Sequence, residues 1–339
     1  MIYFFRKVTI QKIFNFIKIK TSYFISILSK KSFRWGFPYS LSVEPTNICN
    51  LHCPECPSGN GELTRKRGTI LFDDYKKIID DSYKYLLNLF LYFQGEPFIS
   101  KNIFEMIKYA SDKNIYTATS TNGHFLSKEN SFKIVESGLD KLIISLDGTT
   151  QDVYEQYRVS GNLEKVIEGI KNLIEIKSKL KSKTPFVELQ FLVLGTNEHQ
   201  KDDFLKLGKL LKVNSIKLKT AQIYDYENGS KFIPNNKKYS RYIATESIES
   251  KKTTESRLFN KYVLKKKLKN RCPRLWNSAV VTINGDVLPC CFDKDAKYSL
   301  GNIKKKSVSE IVNNQNFKMF ANILLRNRKD IDICRNCNQ

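Results

Sequence analysis

Short runs rich in apolar and β-branched residues alternate along this chain with stretches in which apolar residues recur every three or four positions. The runs predict strands at Ser40–Thr46, Asn88–Gln94, Tyr116–Asn122, Lys141–Asp147, Phe186–Leu194 and Ser215–Ile223. Helical periodicity fills the gaps between them, clearest at Asn102–Lys113, Leu163–Leu180 and His199–Val213. Six β-then-α units imply a parallel sheet, because parallel neighbours need long crossovers and helices usually make them. Periodicity alone leaves an open, incomplete barrel and a doubly wound sheet equally available.

The alternation breaks after Ile223. Residues 225–271 are polar and increasingly basic, and between Lys251 and Arg271 nine Lys or Arg face the single Glu255. Such a run reads as a linker or helical bridge with a solvated charged face. A hairpin follows, Ala279–Ile283 and Asp286–Pro289, joined by Asn284-Gly285, the pair that best supplies positive φ for a tight turn. A helix is predicted over Ser307–Arg328, and no internal repeat is visible.

The opening segment has its own pattern. Residues 1–43 contain no Asp or Glu but carry Arg6, Lys7, Lys12, Lys18, Lys20, Lys30, Lys31 and Arg34 among aromatic and β-branched residues. Lys18 and Lys20 interrupt the apolar stretch before it reaches the roughly 18 residues that a spanning helix needs. Two readings stand: an interfacial helix resting on an anionic membrane surface, or a helix docked on the main domain with its basic face solvated.

Composition narrows the function classes. With 339 residues, 41% of them hydrophobic and 27% charged, the chain has room for about two domains and a buried core, which excludes wholesale disorder and a multi-span membrane protein. The formal net charge of +23 favours an anionic contact without choosing among nucleic acid, lipid and phosphorylated substrate. No recognisable RNA-binding module accompanies it, so nucleic acid is the weaker reading. Eight Cys without a secretory signal place the chain in a reducing, cytoplasmic setting, peripheral to the inner face of the membrane if the opening helix is interfacial. There, clustered thiols are more often metal ligands than disulfides.

The thiols fall into two groups. Cys49, Cys53 and Cys56, in CNLHCPEC just after the first predicted strand, can converge on one metal centre and leave a fourth position open. His52 alternates with Cys53 and should point elsewhere. Cys272, Cys290, Cys334 and Cys337 come from three segments and can close a four-thiolate set, for which spacing alone leaves zinc and an iron–sulfur cluster comparable. Cys291 reads as a spare buried thiol, with its exchange for Cys290 as the alternative. His124 and His199 receive no role.

CNLHCPEC resembles the CxxxCxxC motif of the radical S-adenosylmethionine superfamily, and three further segments resemble it too. Gln94–Pro97 (QGEP) is similar to that family's GGEP, with Gln94 in place of the first Gly; Ser120–Gly123 (STNG) and Ser145–Gly148 (SLDG) fall at later strand ends. Tyr157-Arg158 and the C-terminal segments CPRLW, GDVLPCCFD and CRNC resemble members with a SPASM domain, in its shortened twitch form. The resemblance covers about residues 40–339 and implies a partial (β/α)6 TIM-like barrel followed by a small iron–sulfur domain. It implies one [4Fe–4S] cluster on Cys49, Cys53 and Cys56 and an auxiliary [4Fe–4S] cluster on Cys272, Cys290, Cys334 and Cys337. A full SPASM domain's additional cysteines are lacking, so no second auxiliary cluster is implied.

The same resemblance places S-adenosylmethionine against Gly95, Glu96 and Pro97 for its amino group, Ser120 and Asn122 for its ribose, and Ser145, Asp147 and Arg158 around its carboxylate. It also implies reductive cleavage to a 5′-deoxyadenosyl radical, and an electron donor such as flavodoxin or ferredoxin. The expected divisions are a basic amphipathic segment at 1–39, the core at 40–225, a basic bridge at 226–271 and the auxiliary cluster domain at 272–339. The expected substrate is a small molecule, sugar or lipid-linked compound. Peptide modification is the first alternative, an RNA-binding or RNA-modifying protein the second, and a non-catalytic metal protein the bland reading.

Overall fold

A computed structural model describes residues 6–245 and 261–337. Residues 246–260, which hold part of the basic run and its Glu255, lie outside the described residues. The first element is helix α1, Ile10–Ser29, whose N-cap Thr9 accepts a hydrogen bond from the Lys12 amide. Six strands follow: β1 Ser40–Val43, β2 Asn88–Phe90, β3 Tyr116–Thr121, β4 Lys141–Ser145, β5 Phe186–Val193 and β6 Ser215–Thr220. Each starts at its predicted residue and stops short of its predicted end. The apolar pattern overruns the ladders because the loops leaving the strands are buried as well: Leu91, Leu146, Leu194 and Ile223 are fully enclosed although they lie beyond the strands.

Strands β1 to β6 stand side by side in chain order and pair in parallel throughout. A doubly wound sheet reverses its order at a switch point, whereas unbroken sequential order curls in one direction, as in a barrel. That resolves the choice that periodicity left open. The helices between strands include Ile103–Asp112, Leu163–Lys179 and Lys201–Leu210. The second of these turns Leu163, Val166, Ile170 and Leu173 into the core and is capped by Asn162, which accepts from the Lys165 amide. Strand β6 is an edge, and its exposed Lys217 and Lys219 blunt it against further pairing.

The bridge region contains an element the sequence pattern missed, a two-stranded antiparallel sheet of β7 Tyr242–Ala244 and β8 Tyr262–Leu264. After it come β9 Ser278–Val281, β10 Asp286–Leu288 and β11 Gly301–Asn302. β9 pairs in parallel with the free side of β1, and β10 and β11 add antiparallel strands, so one nine-stranded sheet carries both halves of the molecule. The helix predicted over Ser307–Arg328 forms as two, Val308–Ile311 and Gln315–Asn327. The first ends at its C-cap Val312, and Asn314 caps the next by accepting from the Phe317 amide. Trp276 is fully buried where the halves meet, its ring packed on Tyr23 and Phe317 and its Nε1 donating to Phe33 O at 2.7 Å.

Candidate active site

The loops leaving the C-terminal ends of the core strands enclose a cavity of about 250 Å³. Cys49, Cys53 and Cys56 border it from the loop after β1. That loop tightens into one turn, in which the Cys56 amide donates to Cys53 O and the amides of Gly59 and Asn60 donate to Cys56 O. The loop after β2 lies directly against it. Gly95 has φ +72°, and a Cβ there would sit 2.6 Å from Ile48 O, so only glycine permits this approach. The neighbouring Glu96 amide donates to the same Ile48 carbonyl at 2.8 Å.

Glu96 itself is buried and its carboxylate is fully engaged. It accepts from Thr121 Oγ1 at 2.8 Å, the Asn122 amide at 2.7 Å and the Phe98 amide at 3.3 Å, tying the β2 loop to the end of β3. Burial pushes its pKa from 4.5 up to about 7, against the pull of those donors. Gln94, which stands where the resembling motif has glycine, accepts from Ser58 Oγ at 3.1 Å and so braces the cysteine loop from below.

Two donors reach the sulfurs. Asn122 Nδ2 donates to Asn50 Oδ1 at 2.8 Å and lies 4.0 Å from Cys49 Sγ. Arg158 Nη1 lies 3.7 Å from Cys53 Sγ, while its Nε and Nη2 both donate to Asp147 Oδ2 at 2.6 Å. The other Asp147 oxygen accepts from the Leu192 amide at 2.6 Å, so this buried carboxylate is consumed in aiming the guanidinium. Ser120 and Ser145 border the cavity from the ends of β3 and β4, as do the aromatic rings of Tyr92, Phe93 and Tyr157. Of the residues singled out from sequence, Pro97 and Asp147 stand behind the wall rather than on it. His52 points away, with Nδ1 3.2 Å from Ser160 Oγ at the surface.

His124 is a residue the sequence reading passed over. Its Nε2 accepts from the Asn162 amide at 2.9 Å, which leaves the proton on Nδ1 to be donated to Asn122 Oδ1 at 3.1 Å. Burial lowers its pKa and so favours this neutral form. The imidazole thus fixes which way the Asn122 amide faces. Only its position two residues past Asn122 could have flagged it.

The second thiol group encloses a small apolar pocket. Cys272, Cys290, Cys334 and Cys337 line it together with Phe292, Phe320 and Leu324. Cys291 is not on that wall; its sulfur accepts from Arg274 Nη1 at 3.3 Å. A buried cation, also unmarked in the sequence, completes the pocket: Arg328 donates from Nη2 to Cys337 Sγ at 3.2 Å and from Nη1 to Arg271 O at 3.0 Å.

Among the described residues, no three thiol, imidazole or carboxylate groups are gathered tightly enough to hold a single metal ion. Each thiol group borders a void, which leaves room for a cubane gripped by its corners. Burial raises the Cys49 thiol to about 11 and also raises Cys53, so these groups carry their protons until a metal centre displaces them.

Comparisons with known proteins agree with this geometry. The family profile for the radical SAM superfamily matches residues 43–207, and that for the SPASM iron–sulfur cluster-binding domain matches residues 272–338. The tungsten-containing aldehyde ferredoxin oxidoreductase cofactor-modifying protein of Pyrococcus furiosus is 25% identical over 307 residues, covering 83% of this chain and 82% of that protein. The PqqA peptide cyclase of Bradyrhizobium diazoefficiens is 24% identical over 269 residues, 76% of this chain and 67% of its own. Among solved structures, BtrN in complex with AdoMet and 2-DOIA aligns over 89% of this chain and 93% of its own, with 20% identity and a TM-score of 0.54. SuiB of Streptococcus suis bound to S-adenosylmethionine covers 84% of this chain and 68% of its own, with 15% identity and a TM-score of 0.63. The two structural likenesses establish the fold, a partial barrel, and the family profile makes its C-terminal part an iron–sulfur cluster-binding domain.

Proposed function

We propose that this chain, a member of the radical S-adenosylmethionine superfamily that carries a SPASM domain, is an enzyme whose two thiol groups hold iron–sulfur clusters and which abstracts a hydrogen atom from a small-molecule, sugar or lipid-linked substrate. Cys49, Cys53 and Cys56 would hold the catalytic [4Fe–4S] cluster by three corners and leave one iron for the cofactor. Cluster and S-adenosylmethionine together supply a 5′-deoxyadenosyl radical able to take hydrogen from an unactivated carbon. The protein's task is to orient and to exclude water. Arg158, aimed by Asp147, presents a guanidinium edge suited to a carboxylate. Asn122, oriented by His124 and Asn50, and Ser120 offer polar groups to a ribose. The Gln94–Pro97 segment, its side chains turned to Ser58, Thr121 and Asn122, leaves backbone carbonyls for the amino group.

The observation that carries this reading is convergence. Three thiols from the loop after β1, Asn122 from the end of β3 and Arg158 from beyond the short helix Gln151–Glu155 that follows β4 face one cavity on the side of the sheet where barrel enzymes place their chemistry. The four-thiolate pocket supports electron transfer rather than substrate ligation, since four thiolates would occupy every corner of a cubane, and Arg328 offsets part of their negative charge. Peptide modification is the second reading, favoured by the similarity to a peptide cyclase.

Anaerobic reconstitution followed by reduction tests the proposal. About eight irons and eight sulfides per chain and formation of 5′-deoxyadenosine are expected. The triple change Cys49→Ala, Cys53→Ala, Cys56→Ala should abolish the 5′-deoxyadenosine and keep about four irons. Zinc without labile sulfide, or retained cleavage in the triple variant, would contradict it. Turnover that modifies a peptide and leaves carbohydrates and other small molecules untouched would move the assignment to the second reading.

A further inference from the structure

Helix α1 meets the domain through a largely polar stripe. Its buried residues are Lys12, Asn15, Ser22 and Ser26 with Ile19 the one apolar member, and the partly buried Tyr23 and Ile27 pack beside them. These polar groups are satisfied there. Lys12 Nζ donates to Asn114 O at 2.6 Å, Asn15 exchanges two 2.8 Å bonds with the Phe37 backbone, and Ser26 Oγ accepts from the Phe33 amide at 2.9 Å. The rotation of the helix is therefore set by buried hydrogen bonds, and it leaves the opposite face to solvent. That face is an apolar stripe at helical spacing: Ile10 is 73% exposed, Phe14 60%, Ile17 50%, Phe24 61% and Leu28 68%.

The stripe continues sideways. Phe14 and Lys18 share with Trp35 the wall of a groove of about 360 Å³ beside the helix, and Trp35 is itself 51% exposed. The helix's own segment is cationic, and the acidic side chains beside it come from the domain: Asp140 paired with Lys7 and Asp81 bonded to Ser309 of the groove wall. Residues 1–43 contain no acidic side chain, and Lys18, Lys30 and Lys31 are exposed along and just past the helix. A contiguous exposed apolar stripe of this kind marks an interaction surface.

We propose that α1 seats the protein flat on an anionic phospholipid bilayer, with Phe14, Ile17, Phe24 and Leu28 at the acyl boundary and the lysines among the headgroups. Charge selects this occupant. A second copy of the same face would bring Lys18, Lys30 and Lys31 against their own kind, whereas anionic headgroups complement them. Among the described residues no helix is long and apolar enough to cross a membrane, so the contact is interfacial. Its geometry also orients the enzyme. α1 bonds to Phe37, Tyr85 and Asn114, each just ahead of β1, β2 or β3, while the cavity lies at the other ends of those strands. A docked molecule therefore opens its active site away from the bilayer.

Co-sedimentation of the full chain, kept anaerobic, with phosphatidylglycerol-containing or pure phosphatidylcholine vesicles tests this. Binding to the anionic vesicles should be at least about tenfold tighter and should weaken with salt. Ile17→Gln with Phe24→Gln should reduce it about tenfold without lowering thermal stability, because both side chains face solvent. Of the two tryptophans Trp276 is fully buried, so a blue shift on adding vesicles should report Trp35 and vanish in Trp35→Phe. Equal binding to both vesicle types, unchanged binding by the Gln variant, or a concentration-dependent dimer that this variant abolishes would each overturn the proposal.

Discussion

Arg158 and Asp147 act as one unit at the cavity wall, and their energetics separate aim from stability. Asp147 is fully buried and Arg158 nearly so. Removing the guanidinium alone strands a buried carboxylate, which should cost about 3–5 kcal/mol of stability. Arg158→Met should therefore lower the denaturation midpoint, and Arg158→Met with Asp147→Asn should recover most of it. Neither variant should cleave S-adenosylmethionine at the normal rate; full cleavage in the double variant would mean that Arg158 serves only the fold. Glu96 carries the clearest pH signature. Its folded pKa of about 7 stands above the ordinary 4.5, so between those values the native state holds a proton that the unfolded chain has released. Its contribution to the stability of the iron-free chain thus falls as pH rises from 4.5 to 7, and Glu96→Gln should flatten that slope in denaturation curves recorded across this window. A slope that survives the substitution would assign it to other groups. At this scale the cysteines were legible because their meaning lies in chain spacing. His124 and Arg328 were not, because each depends on a contact that folding makes: the distant Asn162 amide sets the His124 tautomer, and Arg328 reaches Cys337 across a helix end.

At the level of elements, the starts of the six core strands were readable to the residue and their ends were not, since the loops that build the site are as buried as the strands they leave; the expected Ala279–Ile283 strand forms one residue earlier, at Ser278–Val281. Helix α1 illustrates a different limit. Its amphipathic pattern is plain in the sequence, yet which face meets the protein depends on backbone acceptors at Phe37 and Asn114 that no local pattern reveals. The pairing of β9 with β1 was equally hidden, because Ser40 and Ser278 face each other directly in the sheet although most of the chain lies between them. This pairing has a consequence. A chain cut after Arg271 would uncover the edge of β1 and strip Tyr23 and Phe33 of their contacts with Trp276. Such a fragment should aggregate or unfold at markedly lower denaturant than the full chain; a fragment that stays monomeric with an unchanged midpoint would show that the auxiliary half adds nothing to the core.

For the molecule as a whole, the two thiol groups sit on one continuous sheet, β1 leading into the loop of Cys49, Cys53 and Cys56 while β9 and β10 lead toward Cys290. A shared sheet is a fitting frame for the proposed electron transfer between the two centres, since their separation does not depend on a linker. The central claim is that the first centre captures a sulfonium cofactor at an open corner. Electron paramagnetic resonance of the reduced, reconstituted Cys334→Ala, Cys337→Ala protein, which should keep only the first cluster, tests it most directly. Adding S-adenosylmethionine should change the cluster's spectrum, and the change should weaken in the Arg158→Met, Asp147→Asn background. A spectrum that is indifferent to the cofactor in a fully loaded sample would contradict the account at its root.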